Sequence, residues 1–360
     1  MNKKIIFLSF LLASISGYSQ NVDKLKPTFI GISDTIKKQT LNEVVVSATR
    51  VNKNSPIAHE NITSDDIEKQ NHGVDLPILL DQATSVVTTS DAGGGVGYTG
   101  IRIRGSDATR VNVTINGIPL NDAESQGSYW VDLPDISSST GSIQIQRGVG
   151  SSTSGSGAFG ASINLNTLSS DGVKPFGEIS NSFGSFNTIK NTVRFGTGML
   201  KNNWTFEGRL SQLKSEGYID RASSDLKSYY LSGGYVGEKT MLKAVMFSGH
   251  EKTYQAWYGV PVRYLDSSDA GLRTHNPYTY ENEVDNYDQT HYQLHFVQRT
   301  GNYSKFNMSL HYTRGLGYYE QFRTGDALSE YGLENVFTAA GDTITNTDLI
   351  RRRWLDNHFY

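Results

Sequence analysis

From Phe176 onward, apolar and polar residues alternate with a period of two. Trp204, Phe206, Gly208 and Leu210 interleave with Thr205, Glu207, Arg209 and Ser211, and Tyr292, Leu294 and Phe296 with His291, Gln293 and His295. Phe306, Met308, Leu310 and Tyr312 interleave with Asn307, Ser309, His311 and Thr313, and Ile189, Val193 and Phe195 with Lys190, Thr192 and Arg194. Such strands have one oily and one wet face, and a run of about ten residues crosses a bilayer when tilted. Strands are expected at 177–186, 188–198, 202–213, 228–236, 240–250, 288–299, 304–315 and 350–360. A soluble β-sandwich alternates in the same way, so the linkers must separate the two architectures. Those near 199–201, 237–239 and 300–303 are tight, whereas 214–227, 251–287 and 316–349 are long; only the one near Asn187 is short on the long side. Short turns at one end and long loops at the other predict antiparallel transmembrane β-barrel strands.

The stretch 57–167 has a different texture. Thr63 or Ser64 can cap a short helix whose first turn holds Asp65 and Asp66, and DLPILLDQA at 75–83 suggests a second with Pro early in it. Strand-like runs follow at 100–104, 111–115 and 142–146, and Asn116-Gly117 between Ile115 and Ile118 is a strong hairpin signal. A compact α+β domain is expected here. Ahead of it, Lys3, Lys4, the apolar run Ile5 to Ile15 and the small residues Gly17 and Ser19 have the layout of a cleaved secretory signal at 1–19. Residues 20–56 form a polar arm carrying LNEVVVSATR at 41–50. That β-branched run is either the first strand of the next domain or a docking strand that adds to a partner's sheet.

Composition narrows the possibilities. The 360 residues contain no Cys, which excludes disulfides, thiolate metal sites and a lipoprotein anchor. A formal charge of −3 argues against a nucleic-acid binder. The mean hydropathy of −0.43 suits a polar protein, yet 36 Gly, 20 Tyr and 15 Phe fit a barrel whose two faces cancel in any average. No cofactor or metal site is expected: His250, His275 and His291 are dispersed, without carboxylates at ligand spacing. No Ser-His-Asp arrangement or carboxylate pair suggests an enzyme. The Gly-rich run 148–160 lacks the Gly-Lys-Ser/Thr of a phosphate loop. Aromatic residues Trp257, Tyr258 and Tyr264 in the loop 251–287, with Tyr98 beside a Gly-rich turn, are ligand-binding candidates; Tyr254 and Tyr287 serve equally as a girdle at the membrane boundary.

Three segments in order resemble TonB-dependent outer-membrane receptors. LNEVVVSATR resembles the TonB box, here Leu41, Asn42, Glu43, Val44, Val45, Val46, Ser47 and Ala48. GIRIRGSDATRVNVTINGIPLND from Gly100 resembles the plug segment with an Arg-Gly pair (Arg104, Gly105) and an Asn-Gly turn (Asn116, Gly117). GSIQIQRGVGSSTSGSGAFGASINLNT from Gly141 resembles the plug's closing segment, with Arg147 and Gly148. Thr84 stands where the family commonly has Pro, and Ala161 where it commonly has Gly. The resemblance implies a plug at 57–167 inside a 22-stranded barrel beginning at 168, localisation in the outer membrane of a Gram-negative bacterium, and contact of Arg104 and Arg147 with barrel glutamates. It implies TonB, membrane lipid and an extracellular ligand as partners, the ligand being a ferric siderophore or other iron complex. Cobalamin, an oligosaccharide, or a passive porin or adhesin are the alternatives. Since 22 strands need roughly 220 residues in strands alone, the chain is expected to be the N-terminal part of a longer receptor with an incomplete barrel.

Overall fold

The computed structural model describes residues 50–52, 54–149, 159–167, 174–301 and 304–360. The expected signal, the box at Leu41–Ala48 and most of the Gly-rich run lie outside them. The first described unit opens with β1 (His59–Thr63) and α1 (Ser64–Gln70). Of the two candidate caps it is Thr63 that starts α1: its hydroxyl accepts from the Asp66 N–H while the Asp66 carboxylate accepts from the Thr63 N–H at 3.1 Å, a reciprocal box. The second helix, α2 (Leu76–Leu79), is a single turn with Pro77 at its start, shorter than expected. Then come β2 (Val86–Ser90), β3 (Thr99–Ile103), β4 (Val111–Ile115), β5 (Ile118–Pro119), β6 (Thr140–Arg147) and β7 (Ala161–Thr167). Five of these make a sheet in the order β1-β6-β7-β4-β5, and β2 and β3 pair separately. The expected hairpin is present: Ile115 faces Ile118, with Asn116 at φ +54° and Gly117 at φ +81°. Two consecutive positive φ values are what a type I′ turn requires, and Asn and Gly tolerate them best.

The second unit is a single eight-stranded antiparallel sheet. Its strands are β8 (Phe176–Gly184), β9 (Thr188–Gly196), β10 (Trp204–Ser215), β11 (Ser224–Val236), β12 (Thr240–Tyr254), β13 (Val284–Arg299), β14 (Lys305–Ala327) and, after the small hairpin β15 (Val336–Phe337) and β16 (Thr343–Ile344), β17 (Asn346–Phe359). They pair in chain order from β8 to β14, with β17 beside β14; among the described residues β8 and β17 do not pair, so the sheet is an open part of a barrel. Strands β12, β13 and β14 run 15, 16 and 23 residues, well past the roughly ten that span a bilayer. The loops at that end are therefore shorter than expected, at 216–223, 255–283 and 328–345. The turn 185–187 stays tight, with Phe186 and Asn187 both at positive φ.

Burial distinguishes this sheet from a soluble sandwich. The apolar row is the exposed one, with Leu210 at 59% and Leu310 at 55%, whereas the polar row is covered, with Thr192 and Arg209 at 2%. An oily outer face over a polar inner face is the pattern of a wall set in lipid. No described helix is long and apolar enough to cross a membrane. What covers the polar row is the plug. Its core, built on Ile103, Ile115, Ile143, Ile145 and Ile163, is continuous with Tyr230, Val245 and Phe247 of the wall. At Gly249 of β12 an added Cβ would stand 2.6 Å from Pro134 Cδ and nearer still to the Asp132 carbonyl, so plug backbone lies directly against the strand.

Candidate functional site

Polar contacts fasten the plug to the wall around a buried acid. Asp135, held at φ +53° just before a 3-10 turn at Ile136–Ser139, has a side chain only 1% exposed. Lys190 Nζ of β9 lies 2.6 Å from one carboxylate oxygen and Arg209 Nη1 of β10 lies 3.4 Å from the other. The hydroxyls of Ser138 and Thr192 donate to it at 2.6 and 2.8 Å, and that of Ser211 does as well. Burial alone would raise the Asp135 pKa, but Arg209 and Lys190 override it and hold the carboxyl below the usual range. Two neighbouring contacts serve the same junction: Ser228 Oγ donates to the Pro134 carbonyl at 2.6 Å, and Asn116 Nδ2 to Gln293 Oε1 at 3.0 Å. Asn116 thus fills three roles, since its Oδ1 also accepts from the Thr167 N–H at 3.0 Å while its backbone makes the turn.

The two arginines expected to grip barrel glutamates behave differently. Arg147 Nη1 pairs with Glu60 at 3.0 Å, inside the plug, because β6 lies beside β1 and brings that carboxylate within reach. Arg104 is exposed at φ +52°, its N–H donating to the Ser85 carbonyl and its guanidinium lying over Gly148 (φ +94°). Neither forms an ion pair with the described wall. The charged junction here has the opposite polarity, acid on the plug and bases on the wall. Gly105, at φ +77°, turns the chain after Arg104. At Thr84, where Pro would be usual, the N–H donates to Glu60 Oε2 at 3.1 Å, a bond proline cannot make. Ala161 is fully buried at the start of β7.

At the long-loop end, plug and wall line an open cavity of about 970 Å³. Tyr98 meets Trp257 edge-on at 5.5 Å, and Trp257 meets Tyr319 at 5.7 Å. The Tyr98 hydroxyl donates to Asp285 Oδ2, tying the plug loop to β13. Burial, with Glu251 and Asp285 close by, raises the Tyr98 hydroxyl well above its ordinary pKa, so it remains a donor. The other two aromatic candidates are elsewhere: Tyr258 stacks on Tyr278 at 5.1 Å, and Tyr264, on the single-turn helix α3 (Val262–Leu265), packs edge-on to His275 at 5.2 Å. Tyr287, weighed equally as ligand contact and girdle, lines the cavity, and residues not singled out from the sequence complete it, notably Asp132, Glu251, Asp285 and Tyr319. The signal for those on β13 was present: Asp285, Tyr287, Gln289 and His291 occupy alternate positions of one inward row. Among the described residues no cluster of His, Asp and Glu is arranged to hold a metal ion.

Comparison with known proteins agrees with this architecture. Residues 51–162 match the family model described as the TonB-dependent receptor plug domain. Lactoferrin-binding protein A of Neisseria meningitidis is 28% identical over 219 residues, 54% of this chain and 22% of that protein. The ferric-catecholate import receptor Fiu of E. coli K12 in its open form superposes with a TM-score of 0.61 at 15% identity, over 84% of this chain and 45% of that one. The ferric citrate transporter FecA, unliganded, superposes at 0.60 with 17% identity, over 74% of this chain and 41% of that one. The chain thus spans about a fifth of the length of that curated relative and under half of those solved structures.

Proposed function

We propose that this chain, a TonB-dependent receptor by its plug domain and by the run of barrel strands around it, serves active import across the outer membrane, drawing in iron complexes of siderophores. The observation that carries this reading is the junction itself: a folded plug fills the inner face of a lipid-facing wall and is held there by a buried charge cluster. A passive pore has no need of such a plug. The long-loop end faces outside and receives the ligand in the cavity beside the Tyr98–Trp257 pair. The segment Leu41–Ala48 pairs edge to edge with TonB, whose pull, drawn from the inner-membrane proton gradient, shifts the plug. Iron complexes are the favoured cargo because two solved structures of the same fold are a ferric-catecholate import receptor and a ferric citrate transporter.

The test separates binding from transport. Val45→Pro removes a backbone donor from the pairing strand. Cells carrying it are expected to bind a radiolabelled ferric siderophore at the surface as the parent does and to accumulate none. Unchanged accumulation would refute the role of that segment.

A further inference from the structure

We propose that the cavity above the plug receives the positively charged end of its ligand, a protonated amine or guanidinium carried on a molecule of drug-like size. This deepens the importer reading and rests on it. A volume of about 970 Å³ is at the upper end of what small-molecule sites enclose. Six carboxylates line it, those of Asp91, Asp122, Glu124, Asp132, Glu251 and Asp285, and no described Lys or Arg does. Three of the six are nearly inaccessible: Asp132 of the plug is 6% exposed, Glu251 of β12 2% and Asp285 of β13 6%. Buried carboxylates ordinarily pair with a cation or are saturated by donors.

Here that pairing is incomplete. Asp285 takes the Tyr98 hydroxyl on Oδ2, while its Oδ1 is buried with no hydrogen-bond partner. Glu251 has the Thr253 hydroxyl at 3.1 Å. Burial first, then the charges of Asp285 and Asp122, push the Asp132 carboxyl well above the usual range, a cost that an incoming cation relieves. The Tyr98, Trp257 and Tyr319 rings add aromatic surface whose faces attract an alkylammonium. Trp257 Nε1 is also buried without an acceptor, which suits an oxygen elsewhere on the same ligand. The guanidinium nearest in register is Arg353, paired across the strands with Tyr319; it donates to the Tyr319 hydroxyl at 3.1 Å and lies outside the lining. As a cation outside the lining, it supplies the control.

The experiment uses three ferric trihydroxamate complexes that differ only at one chain end: a free ammonium, its N-acetyl derivative and its N-succinyl carboxylate. Binding to the intact detergent-purified receptor is followed by tryptophan fluorescence and calorimetry. The ammonium form is expected to bind about tenfold tighter than the acetyl form, the size of one charge-assisted hydrogen bond, and the carboxylate form weakest. Asp285→Asn, which keeps an acceptor for Tyr98, and separately Glu251→Gln, are expected to shrink that preference to about threefold or less. Arg353→Gln should leave the ranking intact, and circular dichroism checks that each variant is folded. Equal binding of the three, absence of binding by the ammonium form, a carboxylate form that binds best, or a preference that survives both acid substitutions overturns the proposal. Binding in detergent needs no TonB, so this ranking can fail while Val45→Pro still abolishes uptake, and the reverse.

Discussion

The junction at Asp135 allows a quantitative prediction. Asp135→Asn keeps the left-handed backbone, which Asn tolerates, and most hydrogen-bond capacity, but removes the carboxylate that pairs with both Lys190 and Arg209. Those two side chains are 3% and 2% exposed, so both cations would be left buried without their counter-ion. Breaking a buried pair by removing one partner costs about 3–5 kcal/mol. If the loss falls on plug seating, amides of β4, β6 and β7 should exchange with deuterium about two to four powers of ten faster, at about 1.36 kcal/mol per tenfold. The triple variant Asp135→Asn, Lys190→Met, Arg209→Met removes all three charges and should recover most of the lost protection, because an apolar replacement of a buried cluster is near neutral. The pH dependence follows from the sign. The Asp135 carboxyl titrates lower in the folded protein than its ordinary 3.8, so its contribution is present above that value and lost as pH falls through the lower folded one. Parent protection should therefore decline in acid below about pH 4, and the Asn variant should lack that component. An Asp135→Asn plug that exchanges within threefold of the parent, or a triple variant as labile as the single, would refute the electrostatic account.

Two further outcomes follow from buried positions. Gly249→Ala drives a methyl into the Asp132–Pro134 backbone and is expected to cost about 1–3 kcal/mol, read as a lower midpoint of plug unfolding in guanidinium, whereas Gly259→Ala, which meets nothing but pays for its positive φ (+66°), should cost less. Asp75 is buried beside the Thr99 hydroxyl at 3.2 Å, and burial pushes its carboxyl up to about 8. A raised acid contributes its stability fully below its ordinary 3.8 and loses it as pH rises toward 8. The parent's unfolding midpoint should fall between about pH 4 and 8 where that of Asp75→Asn stays flatter, and parallel curves would contradict the assignment.

How much of this was legible differs by element. The eight wall strands were readable because period-two alternation is a local property: each residue's face follows from its own strand. Asn116-Gly117 was readable for the same reason, a turn type set by two φ values. Elements with weak patterns were missed: β1 (HENIT) is largely polar, and β2 and β7 mix small and polar residues. Strand ends were placed short because β14 continues beyond any bilayer thickness, where alternation no longer marks a membrane face.

The alternation of Lys190 and Arg209 with apolar neighbours was enough to place them on the wet row, and the chain order of three motifs was enough to place a plug before a barrel. Which charge meets which was decided only by the tertiary structure. Asp135 finds Lys190 and Arg209, and Arg147 finds Glu60, because the plug sits at one height against the wall and β6 lies beside β1. Likewise Trp257 reaches Tyr98 while Tyr258, the next residue, turns to Tyr278. Facing is encoded residue by residue; partnership between buried polar groups depends on the relative seating of two bodies, and no local period carries that information.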